Sequence, residues 1–294
     1  MRTLFLCALA LSVALCPLRS EAAGRTCLTP SPSPDEARQV LLRTTDAGGR
    51  YLNSCPAGGT VAVALHVLCS GSLGRLTSDQ ILAQMSELNL DFAPSGYQFV
   101  LAALDYTDNS AWFGQPLTYA TPIRITLALD PVHTANVYTC DLPGEGAGFS
   151  FYPWQFPEGS VQHSIFIDYA TVPGVGAPPY NLGRTLTHEM GHYFGLFHTF
   201  ENGCNDPGDD VADTPDEAAA NYGCPEGADS CPSPGLDPIH DYMDYTDDAC
   251  YTEFTLGQMT RMCAILGAYR PDLVGSGPTP ARLGSWGALK VRYR

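Results

Sequence analysis

The 294-residue sequence predicts an α+β fold. Three observations carry that reading. A strand, helix, strand unit spans residues 60–106, a helix at about 181–194 carries two histidines four apart, and a capped helix opens at Thr255 after the long irregular stretch 199–254. Strands and helices that fall in separate stretches, without strict alternation, mark α+β organisation. Roughly 220 residues lie between Tyr51 and a glycine- and proline-rich end, enough for one core and hardly enough for two.

Met1 to Ala22 has an early arginine, an apolar run from Leu4 to Leu15 and a small-residue exit at Ser20 and Ala22, which reads as a signal peptide, 1–22. The apolar run is too short to cross a bilayer. Residues 23–50 read as a pro-segment, because LTPSPSP at 28–34 excludes regular helix or central strand and DAGGR at 46–50 suits an activation cleavage. The main domain is expected at 51–274. TVAVALHVLC at 60–69 alternates as a strand, and Thr77 with Gln80 forms a capping box ahead of Ile81, Leu82, Met85 and Leu88, in a helix that ends by Pro94. YQFVLAALDY at 97–106 is the next strand. Segments 123–129, 136–140 and 164–172 are further strand candidates, the first with a helical alternative. In the helix Asn181 to Phe194, Leu186, Met190 and Phe194 form a core stripe. Thr255 and Gln258 open the last helix, which runs through Met259, Met262 and Leu266 to Gly267, with Pro271 beyond. Residues 275–294 are expected to be a flexible tail.

Against 15 basic residues stand 31 acidic ones, a formal charge of −16, which argues against nucleic acid or an anionic membrane as partner. Of eleven cysteines, Cys7 and Cys16 fall in the signal peptide and nine remain, an odd number that implies disulfides in an exported chain and one cysteine with another role.

Residues 188–198 read HEMGHYFGLFH. His188 and His192, four apart on a helix, share one face and can both direct an imidazole nitrogen at one zinc ion. Glu189, one position round, is placed to take a proton from a metal-bound water. Gly195 lets the backbone leave the helix, and His198 returns as the third ligand, leaving a fourth position open for water and substrate.

These residues resemble the pappalysin-like metzincins, whose zinc motif is HExxHxxGxxH, and in particular their small secreted members such as fungal extracellular metalloproteinases. The resemblance is carried by NLGRTLTHEMGHYFGLFHTF at 181–200, DDVADTP at 209–215 and DPIHDYMDYTDDAC at 237–250, with a weaker stretch from Thr77 to Trp112. It implies a zincin-like catalytic domain with a twisted mixed sheet, an active-site helix, and a C-terminal subdomain bearing a methionine turn and the last helix. The implied enzyme is a secreted, monomeric zinc endopeptidase acting on proteins or peptides, with His188, His192 and His198 as ligands and Glu189 as general base. Met243 would be the floor of the methionine turn, and Tyr245 an oxyanion donor or simply a buried structural residue. The disulfides implied are Cys204 with Cys231 and Cys224 with Cys250. Cys27, in GRTCLTP, resembles the RxCGT stretch whose cysteine plugs the zinc of related proforms, with Leu28 in place of glycine. The alternative for Cys27 is a disulfide to Cys55, Cys69, Cys140 or Cys263. Calcium is implied near Asp209, Asp210, Asp213 and Thr214, where a solvated acidic loop is the alternative. Asp247 and Asp248 would line the primed-side pocket and favour a basic residue after the scissile bond. Two rivals stand beside this reading: a catalytically inactive metzincin-like binding module, which would have no use for Glu189, and a zinc hydrolase acting on another amide.

Overall fold

The computed structural model describes residues 26–52, 58–142, 144, 146–205, 207–275 and 291–293; the expected signal peptide lies outside them. Strand β1 (Thr26–Cys27) leads to helix α1 (Pro34–Thr44), in which Ser33 and Glu36 form a reciprocal capping box and Pro34 takes the first turn. The sequence reading passed over this helix, although Ser33-x-x-Glu36 was its signal. Strand β2 (Gly59–Cys69) is buried along nearly its whole length, where alternation suggested one wet face. It lies in the middle of the sheet, between parallel neighbours β3 (Tyr97–Asp108) and β4 (Thr134–Cys140). Helix α2 (Ser78–Phe92) makes the crossover between β2 and β3, with Thr77 and Gln80 capping it as expected.

Short helix α3 (Ser110–Gly114) runs into α4 (Pro116–Leu127), so residues 123–127 are helical and the strand reading of 123–129 is corrected to its alternative. Over the wider window Pro116, Ala120, Ile123 and Leu127 repeat at helical spacing on the buried side, which outweighs the local alternation. Strand β5 (Gly146–Ser150) is antiparallel to β6 (Ser164–Asp168), and β6 is parallel to β4. A 3-10 turn over Tyr169–Thr171 shortens the strand expected at 164–172. The helices α5 (Arg184–Tyr193) and α6 (Leu256–Tyr269) follow, α5 beginning three residues later than expected. The supposed tail contributes β7 (Val274–Gly275), antiparallel to β2, and β8 (Val291–Tyr293), parallel to β3. Of the expected tail 275–294, the described residues are Gly275 and 291–293, and they lie in these two short strands.

The sheet order is β1-β5-β6-β4-β2-β3-β8, a mixed sheet as the resemblance implied. Successive residues of β2 point to opposite faces, so two cores form. Val61, Val63, Leu65 and Val67 pack with Ile81, Leu88, Phe92, Leu186 and Met190, which seats α5. Leu68 packs on the other side with Phe113, Ile123, Tyr138, Phe149 and Phe166. His66, on the same side as Leu68, is buried with its ring stacked on Tyr138, and bonds Asp105 Oδ2 at 2.6 Å and Asn136 Oδ1 at 3.1 Å.

Candidate active site

Gly183, at φ +94°, turns the chain into α5, and every residue of α5 from Thr185 to Tyr193 is buried. Beyond the end of α5 the chain turns at Gly195, φ +98°, with Leu196 N–H donating to Gly191 O at 3.0 Å. A Cβ on Gly195 would lie 2.6 Å from Ile265 Cγ2, so glycine is needed both for the left-handed backbone and for close packing on α6. The turn returns His198 to the face that holds His188 and His192.

His188 Nδ1 donates to Tyr242 O at 2.7 Å and His192 Nδ1 to Leu196 O at 2.8 Å. A carbonyl only accepts, so Nδ1 carries the proton and Nε2 keeps its lone pair, aimed inward. His192 Nε2 lies 3.1 Å from His188 Nε2 and 3.0 Å from His198 Nε2. Nitrogens about 2.05 Å from one ion at the tetrahedral angle lie roughly 3.3 Å apart. The Cys27 thiol converges on the same point, all four ligand atoms lying within 4.8 Å of one another. Burial pushes His188 down to about 4, and drives His192 and His198 well below the usual histidine value, so all three are neutral donors. This donor set fits a zinc ion.

Glu189 is fully buried, and burial pushes its carboxyl up to about 7, opposed by hydrogen bonds from Cys27, Thr29 and Ser150. Thr29 Oγ1 donates to Glu189 Oε2 at 3.0 Å. Strand β5 passes so close that a Cβ on Gly148 would fall 2.7 Å from Glu189 Cγ, which is why that position is glycine. Tyr245 Oη lies 3.2 Å from His198 Nε2 and donates to Cys27 O at 3.3 Å. Met243 is buried against α5, its Sδ 2.4 Å from where a Cβ on Gly191 would stand. Cys27 is a free thiol, which removes the disulfide alternative for it; Cys69 and Cys140 are also free and buried. Cys263 is disulfide-bonded.

The disulfides Cys204–Cys231 and Cys224–Cys250 occur as the resemblance implied, holding the stretch between the third histidine and α6. Two supports escaped the sequence reading. Asp91, at the end of α2, accepts from Thr187 Oγ1 at 2.5 Å and Tyr242 Oη at 3.1 Å and pairs with Arg184, joining α2, α5 and the residue whose carbonyl orients His188. Its only signal was an acid on the buried side of an amphipathic helix. Glu217, fully buried, accepts from Thr199 Oγ1 at 2.5 Å and Asn221 Nδ2 at 2.7 Å, while Asn221 N–H donates to Asp244 Oδ1 at 3.0 Å. Burial first, and the facing carboxyls second, push Glu217 above the usual carboxylate range.

The acidic loop gives the calcium expectation no support. Asp213 caps α6 by accepting from Thr255 Oγ1 and Gly257 N, both at 2.8 Å, Asp210 faces Arg261 at 3.7 Å, and Asp209 accepts from Val211 N at 3.0 Å. Among the described residues no three acidic side chains of this loop converge as a cation site would require. Asp248 does reach the cleft beside Glu189, together with Tyr180, Arg184, Thr185 and Tyr251, whereas Asp247 is absent from that lining. Asp248 Oδ2 accepts from Leu182 N at 2.7 Å, and burial pushes it up to about 6.

Three converging imidazoles on a helix and its glycine exit, a neighbouring buried glutamate and a buried methionine packed on the same helix define a zinc metallopeptidase of the metzincin class. The family model described as pregnancy-associated plasma protein-A, peptidase family M43, matches residues 125–267. An extracellular metalloprotease of Sordaria macrospora is 42% identical over 262 residues, covering 84% of this chain and 89% of that one. The chain belongs to the pappalysin family, M43. Among solved structures, a Tannerella forsythia promirolysin variant is similar with a TM-score of 0.68 at 23% identity, covering 82% of this chain and 89% of that chain. Mature mirolysin in complex with a cleaved peptide gives 0.63 at 25% identity, covering 76% and 100%. No helix among the described residues is long and apolar enough to cross a membrane.

Proposed function

We propose that the protein is a secreted, monomeric endopeptidase, made with a signal peptide at 1–22 and a pro-segment at 23–50, that cuts proteins and peptides with Glu189 as general base. The observation that carries this is the placement of a wholly buried Glu189 beside three inward-facing Nε2 atoms at the floor of a cleft. Zinc held by His188, His192 and His198 would lower the pKa of a bound water and polarise the scissile carbonyl. Glu189 takes the proton of the attacking water and returns it to the leaving amine; a carboxyl pushed up to about 7 is poised to do both. Tyr245 donates its hydroxyl to the developing oxyanion. Met243 floors the site and is not a ligand. Asp248 favours arginine or lysine after the scissile bond, and Cys27 holds the pro-form latent by filling the fourth ligand position.

The test is a mixed peptide library digested by the processed protein, with new termini read by mass spectrometry. Cleavage abolished by chelation and rich in basic residues just after the cut supports the reading; no cleavage by zinc-loaded, processed protein overturns it, and equal cleavage before apolar residues removes the role of Asp248. Tyr245→Phe is expected to lower kcat about 10²-fold with little change in KM, as for loss of one oxyanion donor; unchanged kinetics would make the tyrosine structural. The Cys27→Ala pro-form is expected to hydrolyse peptide without processing, well above the wild-type pro-form; equal latency of the two would rule out the plug.

A further inference from the structure

We infer that Thr29 is a second lock on this site, one that needs no metal: its hydroxyl occupies the Glu189 carboxylate while the segment bearing it covers the cleft. The inference rests on the reading of Glu189 as general base. It starts from strand geometry. Residues i and i+2 of an extended chain face the same side, and the ladder of β1 against β5 continues through Leu28 N–H donating to Gly148 O at 2.8 Å. Leu28 therefore turns outward, 39% exposed, while Cys27 and Thr29 both face the site, the thiol towards the histidines and the hydroxyl towards Glu189.

The direction of the hydroxyl proton follows from its neighbours. Ser150 N–H donates into Thr29 Oγ1 at 2.8 Å, so the hydroxyl is already an acceptor there and has one proton left to give. Glu189 Oε2 stands at 3.0 Å, against 3.5 Å for both Ser150 O and Ser150 Oγ. The carboxylate is nearer, and a charged acceptor makes the stronger bond. One buried side chain thus engages one of the two carboxylate oxygens of the base, Oε2, and takes up an N–H of β5. The contact is delivered by a segment anchored elsewhere: Arg43 donates to Ala268 O at 3.1 Å and lies 4.4 Å over the Tyr269 ring, and Tyr245 holds Cys27 O. That anchoring raises the local concentration of the hydroxyl at Glu189. Cys27 is the group placed to fill the metal's fourth position, and its thiol also bonds Glu189; Thr29 acts on the base alone, whether or not metal is present.

The test compares intact pro-forms, checked by mass before and after assay, as Cys27→Ala, Cys27→Ala/Thr29→Val and Cys27→Ala/Thr29→Ser, each against processed wild-type enzyme. The expected order is partial activity for Cys27→Ala, at least tenfold more with Thr29→Val added, and return to the single-variant level with Thr29→Ser, which keeps the hydroxyl. Melting of metal-free pro-forms supplies a readout without catalysis: Thr29→Val lowers the melting temperature, and the drop shrinks when Glu189 is replaced by glutamine. The lock is overturned if Cys27→Ala alone matches the processed enzyme, if Thr29→Val adds nothing to it, or if the melting shift is the same in both Glu189 backgrounds. An inactive processed wild-type enzyme would instead sink the peptidase reading, and the melting cycle would still decide whether Thr29 is paired with Glu189.

Discussion

Processed protein carrying Glu189→Gln and a full complement of zinc is expected to lose peptide hydrolysis by about 10²–10⁴-fold in kcat, the range spanned by general acid–base catalysis. Glutamine keeps the size of the side chain and can still accept one hydrogen bond, so the close pass of Gly148 and the three histidines are undisturbed. What it removes is the group that can take and return a proton. The measurement is kcat and KM on one cleaved peptide, with metal content read by elemental analysis. Unchanged turnover with zinc retained would show that the base lies elsewhere. A loss of activity with loss of zinc would show instead that the glutamate supports the ligand helix.

Asp91→Ala carries the largest expected effect on stability, about 3–5 kcal/mol, because it leaves the buried Thr187 and Tyr242 hydroxyls without their acceptor and takes from Arg184 one of its two carboxylate partners, Glu87 remaining at 2.7 Å. Asp91 is 5% exposed, so solvent screens little of that loss. For a domain of this size the melting temperature should fall roughly 6–20 °C. Since Tyr242 O orients His188, zinc affinity should fall as well, as it does when a group that orients a metal ligand is lost. Asp91→Asn, which keeps the acceptor oxygen but not the charge, should cost less. A melting temperature within 2 °C or so of wild type for Asp91→Ala would mean that the contacts joining α2, α5 and the methionine turn are dispensable, contrary to the usual cost of such truncations.

Much of the fold was legible where its determinants are local. The capping boxes at Thr77 and Thr255 placed two helix starts to the residue, because a cap is made by side chains three positions apart. The same signal at Ser33 was present and passed over, since the proline-rich run before it dominated the reading of that segment. Alternating apolar residues around 123–129 suggested a strand, yet burial of Ala120, Ile123 and Leu127 against the far core made a helix. Partner and pattern were ambiguous there over seven residues, and packing against the sheet decided it. The last residues offered neither cap nor period, so their pairing with β2 and β3 had no local sign.

The site divides along the same line. The eleven residues from His188 to His198 determined by themselves the convergence of three histidines and the neighbouring glutamate, because helical spacing and one glycine exit fix their relative directions without reference to the rest of the chain. Only the tertiary structure decided what surrounds them. Thr29 meets Glu189 across 160 positions, Asp91 meets Thr187 across 96 and Tyr242 across 151, and the Cys27 thiol joins three histidines from the far end of the sequence. Such contacts must overcome the entropy of closing long loops, and they do so only as part of the packed whole, so no short stretch of sequence can announce them.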